Sequence, residues 1–284
     1  MNPAIETKEL CYAYEDGTTA LDHITLSAGR GSITGILGAN GAGKSTLFLN
    51  LNGVFTPKSG QVLLDGQPVK YDRKGLAALR RRVGIVFQDP DDQLFSADVY
   101  RDVSFGGVNL GLEPKEVRRR VEEALERTGT SALRDRPTHA LSYGQKKRVA
   151  IAGVLVMEPT VMILDEPTAG LDPQGVSDIM RLLVQLRREL GIAILLATHD
   201  MDIVPLYCDS AYLLSHGRVV RQGTPAQLFR HPEDLRQNHL RLPRIAHLME
   251  ILAGEDGVDV DRGAATISAA RREILRLLGE EESK

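Results

Sequence analysis

The sequence predicts an α/β fold in which a glycine-rich phosphate loop lies between a strand and a helix, followed by a small C-terminal appendage. Three observations predict it: short apolar runs alternate with helical patterns, a glycine-rich motif lies where one such run meets a helix, and the pattern changes after about residue 240. The 284 residues are 42% apolar and 26% charged, a composition that favours a folded chain and excludes general disorder.

Six short apolar runs predict strands, because each is short, rich in aliphatic residues and bounded by polar or turn residues. The predicted strands are Ser32–Leu37, Val62–Leu64, Val83–Phe87, Val161–Leu164, Ile192–Thr198 and Ala211–Leu214. Their alternation with helical segments along the chain is the arrangement expected of an α/β sheet.

Two amphipathic helices are predicted over Pro114–Arg127 and Pro173–Leu190, where apolar residues recur at helical spacing. The first helix has proline in its first turn, and Gly129 follows as its stop. Asp172 is the expected cap of the second helix, and Gly191 closes it. The expected apolar stripes are Val117, Val121 and Leu125 in the first helix and Val176, Ile179, Leu183, Leu186 and Leu190 in the second.

The charge and the aromatic content exclude some classes of function. The formal net charge is −3 and Trp is absent, so neither a basic surface nor an aromatic groove for nucleic acid is expected. The longest apolar run, Val149–Met157, is far shorter than the roughly 20 residues that span a bilayer. Charges at Glu6, Lys8 and Glu9 replace the apolar core of a secretory signal, so we expect a chain that stays inside the cell.

A phosphate loop is predicted at residues 38–45, which fit the pattern G-x-x-x-x-G-K-[ST] before the helical stretch Thr46–Leu51. Glycines let the backbone wrap around phosphates, and the N–H groups that open the helix favour negative charge. Lys44 is expected to reach the β- and γ-phosphates, and the Ser45 hydroxyl to bind Mg²⁺. A plain glycine-rich turn is the weaker alternative, because the strand and the helix lie where the mechanism needs them.

Two adjacent carboxylates end the next apolar strand pattern. Asp165 and Glu166 directly follow Val161–Leu164. Burying such a pair without a partner is costly, so a strand end that carries both indicates a metal ion or a reacting water. Asp165 suits Mg²⁺, and Glu166 suits a general base toward an attacking water. An ordinary strand end that runs into a turn is the alternative, which the nearby phosphate loop disfavours.

A second anion site is predicted at Leu141–Gln145, where small and polar residues open a helical run. This stretch lies about 100 residues after the phosphate loop and about 20 before Asp165. A second phosphate site without its own phosphate loop indicates that it serves a nucleotide held by another subunit.

These motifs resemble those of the ATP-binding cassette (ABC) ATPases over roughly residues 4–235, and they occur in that family's order. The matching elements are Tyr14 for the adenine-stacking aromatic, Gly38–Thr46 for the Walker A loop, Gln88 for the Q-loop, Leu141–Gln145 for the signature, Asp165 and Glu166 for Walker B and the catalytic base, Ala169–Asp172 for the D-loop, and His199 for the switch histidine. The resemblance implies an α/β P-loop NTPase core of the ABC ATPase type over residues 1–240, with a helical subdomain at about residues 89–158.

The resemblance also implies roles for individual residues and identifies the ligands as ATP and Mg²⁺. The expected catalytic residues are Glu166, His199 and Lys44. The expected Mg²⁺ ligands are Ser45, Gln88 and Asp165. The expected ATP contacts are Tyr14, Gly38, Asn40, Gly41, Ala42, Gly43, Lys44, Ser45, Thr46, Gln88, Ser142, Gly144, Gln145 and Asp172.

The signature departs from the family's commonest form, L-S-G-G-Q, because residue 143 is Tyr. Ser142 and Gly144, the expected phosphate contacts, are kept. We therefore expect activity to survive the departure.

Three stretches narrow the resemblance to the energy-coupling-factor importers, which take up vitamins and transition-metal ions. They are Gln88–Phe95, Arg148–Leu155 and the C-terminal segment from Pro243. Within this group the chain is most similar to the ATPases of cobalt uptake, and the ATPases of nickel or vitamin importers, or of other ABC transporters, are the alternatives. Because neither half-site is degenerate, we expect a homodimer with two equivalent ATP sites. The resemblance implies that it lies on the cytoplasmic face of the membrane. Its implied partners are a transmembrane coupling protein and a substrate-binding membrane protein, with no contact to nucleic acid or cargo.

The appendage, residues 241–284, carries two apolar stripes, Ile245–Leu252 and Ile267–Leu278. A small appendage has little core of its own to bury them, so they are candidates for a constitutive contact between two copies. The alternative is that both stripes pack on their own cassette.

Two other classes of protein are alternatives to a transporter ATPase. A soluble cassette ATPase that acts on nucleic acid or the ribosome usually carries two cassettes or a long coiled-coil insertion, and neither is visible. An ordinary P-loop kinase or GTPase would lack Leu141–Gln145 and the segment at Gln88.

Overall fold

Two sheets and a set of helices form the structure, a computed structural model that describes residues 3–279. The strands are, in chain order, β1 (Ile5–Ala13), β2 (Thr19–Ala28), β3 (Ile33–Leu37), β4 (Ser59–Leu64), β5 (Gln67–Pro68), β6 (Val83–Val86), β7 (Val161–Asp165), β8 (Ala193–Thr198), β9 (Ser210–Ser215) and β10 (Arg218–Gly223). The helices are α1 (Lys44–Leu51), α2 (Arg73–Arg82), α3 (Val99–Asn109), α4 (Pro114–Arg127), α5 (Tyr143–Leu155), α6 (Pro173–Leu190), α7 (Val204–Tyr207), α8 (Pro225–Phe229), α9 (Pro232–Gln237), α10 (Arg244–Gly254) and α11 (Ile267–Leu277).

The larger sheet has the strand order β10-β9-β3-β8-β7-β6. Its five strands from β9 to β6 run parallel, and β10 pairs antiparallel with β9. Parallel strands end at one edge of a sheet, where α/β proteins bind ligands. The register pairs Leu37 with Thr198 and Asp165 with Ala197, so the phosphate loop, the acidic pair and His199 meet at that edge.

The smaller sheet is antiparallel, with the strand order β2-β1-β4-β5. Only part of β4 was predicted, so the structure adds a sheet that the sequence patterns did not indicate. The residues Glu9 in β1 and His23 in β2 have positive φ, and the β1–β2 register shifts beside them. Such irregularities disrupt the two-residue alternation by which strands are recognised.

The two predicted amphipathic helices have the expected bounds, as α4 and α6. The Asp172 carboxylate accepts a hydrogen bond from the Gly175 N–H at 2.7 Å, and Gly191 ends α6 in the left-handed conformation with φ 65°. The expected stripe of α6 is wrong at one position, because Leu190 is 41% exposed. It is the last residue of α6, where the helix extends past the packed core.

The segment between β6 and β7 is helical. It contains α3, α4 and α5 together with 3₁₀ turns at Pro90–Asp92, Ser131–Leu133 and Thr138–Ala140. Aliphatic side chains of the three helices, among them Val103, Val121 and Val149, are buried against one another and against the larger sheet. The boundaries of a helical subdomain at about 89–158 stay a prediction.

The C-terminal segment is partly packed on the rest of the chain. Met249, Val260, Ala264 and Ala270 form a small cluster of their own, whereas Ala246 joins the main core. Exposed apolar side chains on α10 and α11 are Leu248, Ile267, Ile274 and Leu277, followed by Leu278. The division at residue 240 stays a prediction, and residues 280–284 of the predicted appendage lie outside the described residues. Within residues 3–279, none of the helices combines the length and the apolar character needed to cross a bilayer.

Candidate nucleotide site

The phosphate loop connects β3 to α1, and its backbone needs glycine at two points. At Gly38 a Cβ atom would lie 2.6 Å from the Leu214 carbonyl oxygen. Gly43 has φ 103°, and a Cβ there would lie 2.8 Å from the Ala20 carbonyl oxygen. Among residues 3–279, no side chain caps the start of α1, so its first N–H groups are available to an anion.

Lys44 lies inside the loop with its side chain almost fully buried. Its ammonium donates hydrogen bonds to the carbonyl oxygens of Gly38 at 2.7 Å and Ala39 at 3.1 Å. Burial lowers the pKa of Lys44, and the carboxylates of Glu166 and Asp165 oppose that shift. A buried cation whose partners are only carbonyl oxygens gains a stronger partner when a phosphate arrives.

The loop borders an open cleft of about 320 Å³. The side chains or backbone that line it belong to Tyr14, Thr18, Thr19, Ala20, Asn40, Gly41, Gly43, Lys44, Ser45, Thr46, Gln88, Asp165 and Glu166. The Tyr14 hydroxyl lies 2.6 Å from the Thr46 Oγ1, and the Tyr14 ring packs edge-on against Tyr12 and Phe55. The structure therefore brings ten of the predicted residues into one cleft.

An oxygen-rich group of side chains lies in this cleft. The Ser45 hydroxyl donates a hydrogen bond to the Asp165 Oδ2 at 2.6 Å, and the Gln88 residue lines the same space. Hydroxyl, carboxylate and amide oxygens are the ligands that Mg²⁺ prefers, and Mg²⁺ is commonly held by one or two carboxylates together with phosphate oxygens. The donor set therefore fits Mg²⁺.

Glu166 and His199 are in contact at the edge of the larger sheet. Glu166 is 5% exposed, and its Oε2 lies 2.9 Å from the Nδ1 of His199 and accepts the His199 backbone N–H at 3.3 Å. The Glu166 backbone is left-handed, with φ 46°, which is uncommon for a residue other than glycine. A carboxylate held this way beside a phosphate loop can accept a proton from a water molecule.

The signature residues do not line this cleft. Ser142 caps α5: its Oγ accepts the Gln145 N–H at 3.4 Å, and the Gln145 Oε1 accepts the Ser142 N–H at 3.0 Å. Ser142, Gly144, Gln145 and Asp172 are not among the residues that line the cleft of the same chain. Asp172 uses its carboxylate to cap α6.

Three further predicted residues do not line the cleft, but each contacts or adjoins a residue that does. Ala42 is buried, and its N–H donates to the Ala39 carbonyl within the loop at 3.1 Å. Gly38 offers its carbonyl to Lys44, and His199 reaches the cleft through Glu166.

Lys147 is not among the predicted site residues, and it is 1% exposed. Its ammonium donates to the carbonyl oxygens of Gln88 at 2.5 Å and Glu166 at 3.3 Å, and burial lowers its pKa to about 8. It stands in the basic run Lys146–Arg148. A usable signal is its spacing of four residues from Tyr143, which places the two side chains on one face of α5.

Known proteins are similar to this chain in sequence and in fold. The family model described as ABC transporter matches residues 21–169. The energy-coupling factor transporter ATP-binding protein EcfA3 of Clostridium perfringens is 59% identical over 270 residues, which are 95% of each chain. EcfA of Methanocaldococcus jannaschii is 50% identical over 276 residues, or 97% of this chain and 98% of that one.

Two solved structures are similar as well. The structure of cbiO1 from Clostridium perfringens, described as part of the ABC transporter complex cbiONQ, has a TM-score of 0.77 and 60% identity, and the match covers 88% of this chain and 100% of that one. A dimeric post-hydrolysis state of the ATP-binding cassette MJ0796, bound to ADP and Pi, has a TM-score of 0.69 and 27% identity, and covers 78% and 98%.

The sheet, the phosphate loop and these similarities define an ATP-hydrolysing cassette, and the chain belongs to the ABC transporter family. Within that family it is a transporter ATPase of the energy-coupling factor type.

Proposed function

We propose that this ATPase powers the import of a transition-metal ion, with cobalt as the favoured cargo. The observation that supports cobalt as the cargo is the similarity to cbiO1, a part of the cbiONQ complex, at 60% identity. ATPases of vitamin or nickel importers are the second candidate, because the EcfA relatives are named for the transporter type and not for a cargo. A role on nucleic acid is disfavoured by the net charge of −3.

Cargo is tested with the intact transporter, purified with its membrane subunits and reconstituted in vesicles. The expected result is ATP-dependent accumulation of Co²⁺ that exceeds that of Ni²⁺ and of vitamins such as biotin. Metal analysis of the purified complex provides an independent readout. Vitamin uptake without Co²⁺ uptake would exclude the cobalt assignment and leave the ATPase assignment intact.

The contacts around the cleft support a division of chemical roles. Glu166 is positioned to accept the proton of the attacking water, and His199 holds the Glu166 carboxylate through two contacts. Lys44 supplies a buried positive charge for the β- and γ-phosphates. Tyr14 lines the cleft and offers a partly exposed ring for the adenine.

Ser45, Asp165 and Gln88 are the proposed holders of Mg²⁺. Bound Mg²⁺ supplies positive charge that neutralises phosphate oxygens. Ser45 and Asp165 already face each other through their 2.6 Å hydrogen bond, so their oxygens are close enough to share one ion.

We propose a homodimer with two equivalent ATP sites. The support is that Ser142 and Gly144 do not line the cleft of their own chain, so a signature that contacts phosphate serves the ATP of a second copy. The MJ0796 cassette with ADP and Pi is described as dimeric. ATP between the copies then stabilises the closed pair, because contacts across the interface exist only in the closed state.

The C-terminal stripes are proposed to join the copies in the absence of nucleotide. Leu277 and Ile267, the latter 76% exposed, lie on the outer face of α11. Truncation after Leu242 should shift the nucleotide-free protein from dimer to monomer, measured by light scattering. ATP together with Glu166→Gln should still drive pairing of the truncated chain.

Two controls accompany the truncation. Truncation after Gly279 removes only the last five residues and should leave the dimer intact. Leu277→Asp changes the stripe without removing Ala246 from the core, so it tests the interface if the truncated chain is unstable. An unchanged nucleotide-free dimer would exclude the appendage from the interface, and a monomer with ATP would contradict the shared site.

A membrane subunit is proposed to bind at the segment Gln88–Phe95, which places the ATPase at the cytoplasmic face of the membrane. Phe95 is 66% exposed and packs edge-on against the exposed Phe105 ring at 4.7 Å. Buried Asp102 holds the segment in place by accepting the N–H groups of Phe95 and Ser96. Exposed aromatic pairs on a rigid support are typical anchors of protein interfaces.

Phe95→Ala should lower transport roughly tenfold, the cost of losing one interface anchor, while ATP binding stays unchanged. The assay compares uptake by reconstituted vesicles with ATP affinity of the same complex. Val220→Ala is the matched control, because Val220 is an exposed apolar residue on the distant edge strand β10. An equal loss of transport and ATP binding would indicate a folding role for the segment.

A further inference from the structure

Lys147 is a buried cation that connects two separate parts of the candidate site. Its ammonium donates hydrogen bonds to the carbonyl oxygens of Gln88, which follows β6, and of Glu166, which follows β7. Burying an ammonium is costly unless hydrogen bonds replace its water. These two bonds are therefore strongly favoured, and they fix the distance between the two carbonyl groups.

The Glu166 end of this link is a strained backbone. Glu166 has φ 46°, and its carbonyl accepts both the Lys147 ammonium and the Ala169 N–H at 3.1 Å. Residues other than glycine keep this conformation only when their surroundings impose it. Because the same conformation directs the carboxylate to His199, Lys147 helps to determine where that carboxylate points.

Tyr143 adds a second contact from α5. Its hydroxyl donates to the Gln88 carbonyl at 3.4 Å, and the Lys147 ammonium lies 5.4 Å from the centre of its ring. The ring also packs on Gly170, where a Cβ atom would lie 3.0 Å from the Tyr143 Cε1. The tyrosine that departs from the common signature thus contacts the segments after β6 and β7 within its own chain.

The neighbouring Lys146 has a different role. Its ammonium pairs with the exposed carboxylate of Asp91 at 2.5 Å. Of the two adjacent lysines of α5, Lys146 therefore forms an exposed ion pair and Lys147 connects two carbonyl groups. A substitution of Lys146 is the matched control for one of Lys147.

We infer that Lys147, supported by Tyr143, is a positioning residue: its ammonium transmits the position of the Gln88 segment to the backbone that aims Glu166. The inference rests on the proposed role of Glu166 as general base and adds how that base is held. A displacement of the Gln88 segment by a bound partner changes the Lys147 link, and with it the aim of the carboxylate.

The test compares turnover with ATP affinity in the purified full chain. Lys147→Met removes the ammonium and keeps an unbranched side chain, so we expect kcat for ATP hydrolysis to fall roughly 10- to 100-fold, the cost of a misplaced reacting group. The KM for ATP should stay within about threefold, because only transition-state positioning is lost. Lys147→Arg should recover most of kcat, and Lys146→Met should match the parent.

A double variant tests whether Lys147 acts through Glu166. In the Glu166→Gln background, Lys147→Met should cause no further loss of single-turnover rate, because the carboxylate that it positions is already gone. A parental kcat in Lys147→Met, a change confined to KM, or an equal loss in the Glu166→Gln background would each overturn the inference.

Thermal unfolding of each variant checks the fold. If Lys147→Met does not fold, Lys147→Gln takes its place under the same criteria, because its amide is polar but carries no charge. A different result would contradict the assignment of Glu166 as the base. That result is a parental rate of hydrolysis in Glu166→Gln, whatever the Lys147 variants show.

Discussion

Glu166→Gln is expected to keep ATP binding and to lower turnover by roughly 10²–10⁴, the contribution of a positioned general base. The amide has nearly the same shape, and its oxygen can still accept the backbone N–H of His199. It cannot take a proton from water at neutral pH. Binding and turnover are therefore expected to separate, which titration with a fluorescent ATP analogue and steady-state hydrolysis measure together.

Glu126→Gln is the matched control for this change, since Glu126 is an exposed residue of α4 far from the acidic pair in sequence. It should hydrolyse ATP at the parental rate. If Glu166→Gln also hydrolyses ATP at the parental rate in the assembled complex, the base assignment is wrong.

Lys44→Ala is expected to weaken ATP binding roughly 10- to 100-fold, the range for losing a hydrogen bond from a charged group. The Lys44 ammonium is buried, and carbonyl oxygens of the loop are its partners. Phosphate is a better partner for this charge than a carbonyl, so the variant loses affinity and not turnover alone. Titration of the nucleotide at constant salt measures the effect.

Lys74→Ala removes an exposed lysine from α2 and should leave the affinity unchanged. Thermal unfolding without nucleotide separates lost phosphate binding from a damaged loop, because the carbonyl oxygens of Gly38 and Ala39 lose their partner in Lys44→Ala. Parental affinity in this variant would contradict the assignment of Lys44 to the phosphates.

Local sequence patterns were sufficient to predict much of the cassette. The bounds of α4 and α6 follow from apolar spacing, a capping carboxylate and a closing glycine, all of which lie within one or two helical turns. The phosphate loop and the acidic pair were recognisable for a similar reason, because each occupies a few consecutive residues at a strand end. The parallel sheet then brings these separate ends to one edge.

Features that depend on residues far apart in the chain could not be predicted from the sequence patterns. The antiparallel sheet was missed because positive φ at Glu9 and His23 interrupts the alternation of β1 and β2. The exposure of Leu190 depends on where the core ends and not on the stripe that predicted it.

Lys147 shows most clearly why some site residues cannot be predicted from local sequence patterns. Its two acceptors lie 59 and 19 residues away along the chain, so no window of neighbouring residues contains them. Capping and periodicity act over a few residues and can be read from consecutive letters. The burial of a charge depends on which carbonyl groups the folded chain brings to it, and for Lys147 those groups meet only after β6, β7 and α5 have packed together.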